Sequence, residues 1–257
     1  MKKLSAVFFS LLVMIVTVVT FSQAANALEF GARGYYWIPT FKATMRADTT
    51  TTTGTEFDLK DTLGMGNKAF PAIEVFAGLG KNHLSLMYTQ ANFSGSAVLA
   101  SPITFFGTTF PAGTAVSSDL KFRMLDLAYK RDLIDLKNIL AGFSVGVIGK
   151  IKYIEADASI LAAAQQQSRT LRVPIPMIGV GASAGILANI LEARAEITGI
   201  AYSGNSLIEA SADLSLTPFP FLDIHGGYRI IDIRVDFNDT LFNSQLAGPY
   251  LALTVGF

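Results

Sequence analysis

The chain has 257 residues, with 20 basic and 20 acidic side chains, a mean hydropathy of +0.42 and no cysteine. Balanced charge leaves no electrostatic footprint for a nucleic-acid partner, and the missing thiols exclude disulfides and a lipid anchor on an N-terminal cysteine. Beyond Leu28 no apolar run approaches the ~18–20 residues of a membrane helix, so the hydrophobicity is spread over short segments.

The first element has the three parts of an export signal: Met1-Lys-Lys, an apolar stretch from Leu4 to Thr20, and the small residues of Ala25-Asn-Ala27. Residues 1–27 are therefore expected to be a signal peptide cleaved near Ala27, leaving one domain over 28–257. Removing them takes away Lys2 and Lys3 and no acids, which leaves 18 basic against 20 acidic residues.

Ten strands follow from period-two patterning: 28–45, 69–79, 82–95, 116–131, 139–156, 171–186, 190–202, 206–217, 221–237 and 246–257. The connections at 80–83, 132–138, 187–189 and 217–220 read as short turns. Those at 46–68, 96–115, 157–170 and 238–245 read as longer, mostly polar loops. Within them, 48–54 and 162–168 are low-complexity runs expected to be exposed. The segment from Pro102 to Phe110 is either a hairpin extending the strands or a lid over the lumen. Tyr36, Trp37, Tyr153, Tyr202 and Tyr250 are expected in one aromatic belt, and Phe30, Tyr129, Phe219, Phe221 and Phe257 in another.

Alternation also places charges on strand faces. Strand four offers Asp119, Lys121 and Arg123, with Asp126 out of phase; strand five offers Lys150 and Lys152. Glu192, Arg194 and Glu196 share one face of strand seven, and strand eight adds Glu209 and Asp213. Strand nine carries Asp223, His225 and Arg229, then Asp232, Arg234 and Asp236 in the opposite parity, which predicts a bulge near Ile230-Ile231. A Lys or Arg facing lipid at mid-membrane costs about 2–4 kcal/mol. A lumen network of Lys121, Arg123, Lys150, Lys152, Glu192, Arg194, Glu196, Glu209, Asp213, Asp232, Arg234 and Asp236 is therefore expected. Gly179, Gly181, Ser183 and Gly185 would leave room for it. The network reads either as pairing that holds the lumen shut or as a selectivity lining.

The closing strand Leu251-Ala-Leu-Thr-Val-Gly-Phe257 puts Leu251, Leu253 and Val255 on one face and ends in an aromatic. It resembles the closing strand of Gram-negative outer-membrane β-barrels, in which the final Phe is an assembly signal. The stretches Gly54–Gly64, Pro71–Val75, His83–Tyr88, Phe110–Gly113 and Gly226–Arg229 are similar to the same group, the porin-like and OmpA-like membrane barrels. That resemblance implies an all-β fold, a single antiparallel transmembrane β-barrel of about ten strands (eight or twelve as alternatives). It also implies a cell outer membrane location, with lipid, lipopolysaccharide and the barrel-assembly machinery as partners and an oligomeric state left open.

Chemistry-bearing motifs are sparse. Gly181-Ala-Ser-Ala-Gly185 fits a nucleophile elbow, but no helix follows it as that strained turn requires. His83 and His225 are the only histidines, no metal-ligand spacing exists, and no cofactor is expected. The expectation is a non-enzymatic structural barrel or narrow conduit with outer loops facing ligand or lipopolysaccharide; the alternative is an outer-membrane hydrolase acting on lipid or peptide.

Overall fold

The computed structural model describes residues 28–136, 142–162, 165–187, 190–237 and 240–257. The expected signal segment, parts of two expected turns and of two expected long loops, and the first three residues of the expected strand 139–156 lie outside them. Period-two alternation builds β1 (Leu28–Trp37), β2 (Thr40–Ala47) and the short β3 (Phe57–Asp58), followed by the five-residue helix α1 (Leu59–Leu63). Next come β4 (Phe70–Leu79), β5 (Asn82–Val98), β6 (Ile103–Phe105), β7 (Thr108–Phe110) and β8 (Ala115–Leu136). The chain continues through β9 (Phe143–Ala162), β10 (Gln165–Leu187), β11 (Leu191–Tyr202), β12 (Asn205–Phe219), β13 (Leu222–Phe237) and β14 (Thr240–Gly256).

Successive antiparallel pairings and a final β1–β14 pairing close a ten-position barrel. β1 and β2 share one position, since β14 pairs with β1 through Tyr250 and with β2 through Ala247. The break between them falls at Ile38-Pro39, where proline supplies no ladder donor. Gly248 is needed opposite this break, because a Cβ there would lie 2.2 Å from the carbonyl oxygen of Ile38. Pro174 and Pro176 fall on the part of β10 that runs beyond its pairing with β11, so their missing N–H groups interrupt no ladder on that side.

The long strands keep the same face inward from end to end, but the chemistry of both faces changes partway along. On β5, Leu84, Leu86 and Tyr88 point outward, while His83 and Met87 point in; beyond Thr89, Gln90, Asn92 and Ser94 are outside and Ala91 and Phe93 inside. β8, β9 and β13 change in the same way. The first zone is an apolar belt facing hydrocarbon, at the terminal end of the barrel, where Leu28 and Phe257 lie. The second is a water-facing wall around an apolar core, at the loop end. In that core the Phe41 and Phe93 rings stack with centroids 4.2 Å apart, and Phe70 and Phe122 meet Phe93 edge-on. Such aromatic pairs are worth about 0.5–1.5 kcal/mol beyond their area burial.

The expected long loops are more ordered than their composition suggested. Residues 157–162 and 165–170 continue β9 and β10, where Ala156, Ala158 and Ile160 face in. Residues 240–245 belong to β14. In the first loop, Asp58 caps α1 by accepting from the backbone N–H groups of Lys60 and Asp61, and Gly64 ends it in the left-handed region at φ 70°. Leu59 and Leu63 are buried, so α1 fills the wall beside β5 where β4 has already stopped. The β6–β7 hairpin folds back as a lid. Ile103, Phe105 and Phe110 are buried, and Phe106 N–H donates to the Ala47 carbonyl at 3.3 Å. Gln167 reaches Thr108 from β10, and the Arg169 guanidinium lies over the Phe106 ring.

Candidate functional site in the lumen

The residues that meet in the terminal half of the lumen come from nearly every strand. Deepest is a cluster of five ionised groups. Lys152, with no exposed side-chain surface, places Nζ 2.7 Å from Asp126 Oδ1 and 3.2 Å from Glu209 Oε2. Lys150 Nζ lies 3.1 Å from the same Glu209 oxygen, and Arg229 Nε donates to Glu209 Oε1 at 2.9 Å. Trp37 covers this cluster from the loop-end side. Isolated ions this deep would each cost several kcal/mol; mutual pairing offsets the desolvation.

Two further clusters lie nearer the termini. Tyr35 donates to Glu74 Oε2 at 2.6 Å, and Arg33 contacts Glu74 at 3.3 Å while its Nε donates to Thr254 Oγ1 at 2.7 Å. Asp213 accepts from Tyr250 at 2.8 Å and from Arg194 at 3.1 Å, and it lies 3.3 Å from His225 Nδ1. His225 Nε2 is 2.7 Å from Thr254 Oγ1. Thr254, His225 and Asp213 thus stand in the order of a hydroxyl–imidazole–carboxylate relay. The hydroxyl is sealed, however: Thr254 is 2% exposed and already receives Arg33, so no carbonyl has room to approach. Ser183, the candidate of the elbow motif, lies within β10 and meets only Ser144 Oγ, at 3.0 Å. The titratable side chains converge here rather than at the loop-end rim.

Below the deep cluster is a cavity of about 500 Å³, running from Glu29, Glu192 and Thr217 near the termini to Lys150, Glu209 and Arg229. His83, held 3.2 Å from Asp132, lines its mouth.

Of the charges expected in the lumen, Lys150, Lys152, Glu192, Arg194, Glu196, Glu209 and Asp213 face inward. Lys121 and Arg123 do not: they are exposed on the outer wall, and Phe122 and Met124 take the inner face. Arg123 and Arg172 there both engage Glu155. Asp232, Arg234 and Asp236 also face outward, while Ile231 and Ile233 are buried inside. The bulge expected at Ile230-Ile231 is absent, since the register of β13 with both neighbours runs through it unbroken. What changes is the medium around the strand. Asp126, out of phase with Lys121 and Arg123, is the inward member of β8.

Trp37 and Tyr250 belong inside rather than to a belt; both are buried. Sequence reasoning also passed over Arg33, Tyr35 and Glu74, although the alternation of Glu29, Arg33, Tyr35 and Trp37 carried the signal. Phe257 sits at the terminal rim, its ring stacked on Phe30 at 5.7 Å and Phe221 at 5.3 Å, and its backbone paired with Phe30.

No protein-family model matches the chain, and no curated protein sequence matches it. Among solved structures, the chain is similar to the outer membrane protease OmpT from Escherichia coli, with a TM-score of 0.62 and 10% identity over 92% of this chain and 100% of that one. Ail, the attachment invasion locus protein of Yersinia pestis, matches with a TM-score of 0.37 and 10% identity, over 89% and 98% of the two chains. Neisserial surface protein A matches with a TM-score of 0.38 and 11% identity, over 89% and 97%. The fold is that of outer-membrane β-barrel proteins, and at these identities the likeness extends no further.

Proposed function

We propose that the protein is an integral barrel of the outer membrane without enzymatic activity and without a through-pore. Its terminal end would face the periplasm, and its capped loop end lipopolysaccharide and the exterior. The carrying observation is the succession inside the lumen: the paired cluster of Asp126, Lys150, Lys152, Glu209 and Arg229 lies directly beneath the packed rings of Trp37, Phe41 and Phe93. An ion entering from the terminal end meets paired charges and then a dry core, so the lumen is a blind chamber. The belt around the terminal half and the aromatic Phe30, Phe221 and Phe257 at its rim support this orientation.

Planar-bilayer recording of refolded protein tests the reading, beside a variant neutralising Arg194 and Arg234. Silence is expected from both, because the obstruction lies above Arg194 and Arg234 is outside the lumen. Steady single-channel current from the wild type would defeat it. The terminal Phe257 would serve recognition by the barrel-assembly machinery, and Phe257→Ser should lower the yield of folded protein in the outer membrane without altering refolding in detergent.

A further inference from the structure

We infer that the chamber is a binding site for a linear organic polycation of the polyamine class, entering from the terminal end. The inference rests on the reading of the lumen as a blind chamber. Among the described residues facing this part of the lumen, the cations are Arg33, Lys130, Lys150, Lys152, Arg194 and Arg229, and each already contacts a carboxylate. Carboxylates outnumber them: among the described residues, Glu29, Glu192 and Asp223 have no cation within ion-pair distance, and Asp223 accepts only from the Thr217 hydroxyl. The excess is negative, and the wall around it is surrounded by hydrocarbon. Low-dielectric walls focus such a field, and a mobile cation relieves it.

A second observation points to a guest deeper in. Thr198 lines the cavity and is 2% exposed, and its hydroxyl has no hydrogen-bond partner among the described residues. Two residues along the same face, Glu196 pairs with Lys130 at 3.5 Å, its one ion-pair partner among the described residues, and keeps 45% of its side chain exposed. An ammonium beside Glu196 would donate to this carboxylate and to Thr198 Oγ1 together. Glu192 lies four residues away on the same face of β11, roughly 13 Å at strand rise. No group of three His, Cys, Asp or Glu among the described residues converges as a metal site requires. Carboxylates strung out along one strand suit ammonium groups spaced along a chain.

The test is calorimetric titration of spermidine into the full chain folded in uncharged detergent at low salt, with Glu192→Gln and Thr198→Val alongside. Circular dichroism confirms that each variant is folded. The expected result is saturable binding by the wild type, weakened about tenfold by Glu192→Gln, a change of about 1.4 kcal/mol. Thr198→Val should weaken it too, and equimolar Mg²⁺ should leave it in place. Absence of saturable binding, wild-type affinity in either variant, or full displacement by equimolar Mg²⁺ would overturn the inference. Bilayer recording with spermidine present separates the two readings: silence without binding defeats this inference alone, whereas current carried through the barrel defeats the blind chamber itself.

Discussion

Trp37 lies over the guanidinium of Arg229, with the ring centroid 5.0 Å from Cζ, and so marks the boundary between a polar and an apolar half of one lumen. Its indole N–H donates to the Gly248 carbonyl at 3.1 Å, which satisfies the only polar atom the ring brings inside. Arg229 in turn holds Glu209 below it. Neither half can be repacked without disturbing the contact between them.

Arg229→Leu should therefore cost about 3–5 kcal/mol, because it leaves Glu209 with fewer partners among buried charges. Trp37→Phe keeps an aromatic face over the guanidinium and should cost less, about 0.5–2 kcal/mol. Guanidinium unfolding in detergent measures both; equal midpoints for Arg229→Leu and wild type would count against the cluster as a structural unit.

The water-facing wall makes a topological prediction that the absence of cysteine renders easy to test. Single Lys121→Cys and Arg234→Cys variants should be labelled on intact cells by a membrane-impermeant maleimide, and Glu192→Cys should not. Protection of both outer positions would restore them to the lumen and refute the water-facing wall.

Phe93 sits at the centre of the loop-end core, 1% exposed and touching three other rings. Phe93→Ala should destabilise by about 3–5 kcal/mol, as ring deletions in soluble cores do. Val98→Ala, on the exposed side of the same strand, should fall within about 0.5 kcal/mol of wild type. Comparable losses at the two positions would argue against a packed interior.

Gly95 admits α1. A Cβ there would lie 2.2 Å from the Leu63 carbonyl oxygen and 2.8 Å from the Gly64 carbonyl carbon. Gly95→Ala should displace the helix and cost about 1–3 kcal/mol. Limited trypsin digestion checks it: cleavage at Lys60 should accelerate while the barrel stays folded.

Much of this architecture was legible in the sequence. Ten strands, their approximate spans and the outward face of Leu251, Leu253 and Val255 all follow from alternation. Alternation says which residues share a face, but it is silent on what surrounds that face. For Asp232, Arg234 and Asp236 the rule that charges avoid lipid turned them inward, because the strand was assumed to remain in the bilayer. In fact the strand leaves it near Ile230, and buried Ile231 and Ile233 were the clue. The expected loop 157–170 was misread for a related reason, since its polar, low-complexity stretch hid the inward alternation of Ala156, Ala158, Ile160 and Ala162. Partnerships across the barrel, such as Lys152 with Asp126 and Glu209, depend on closure and strand stagger, which no local pattern contains.

The change from apolar to polar residues on the outward faces of β5, β8, β9 and β13 also fixes the depth at which the molecule can float. Sinking by a single pair of residues would press Glu155 and Asp232 into acyl chains, while rising by as much would wet Tyr88 and Leu125. The penalty is steep in both directions, so a bilayer of the wrong thickness must deform around this cylinder rather than let it slide.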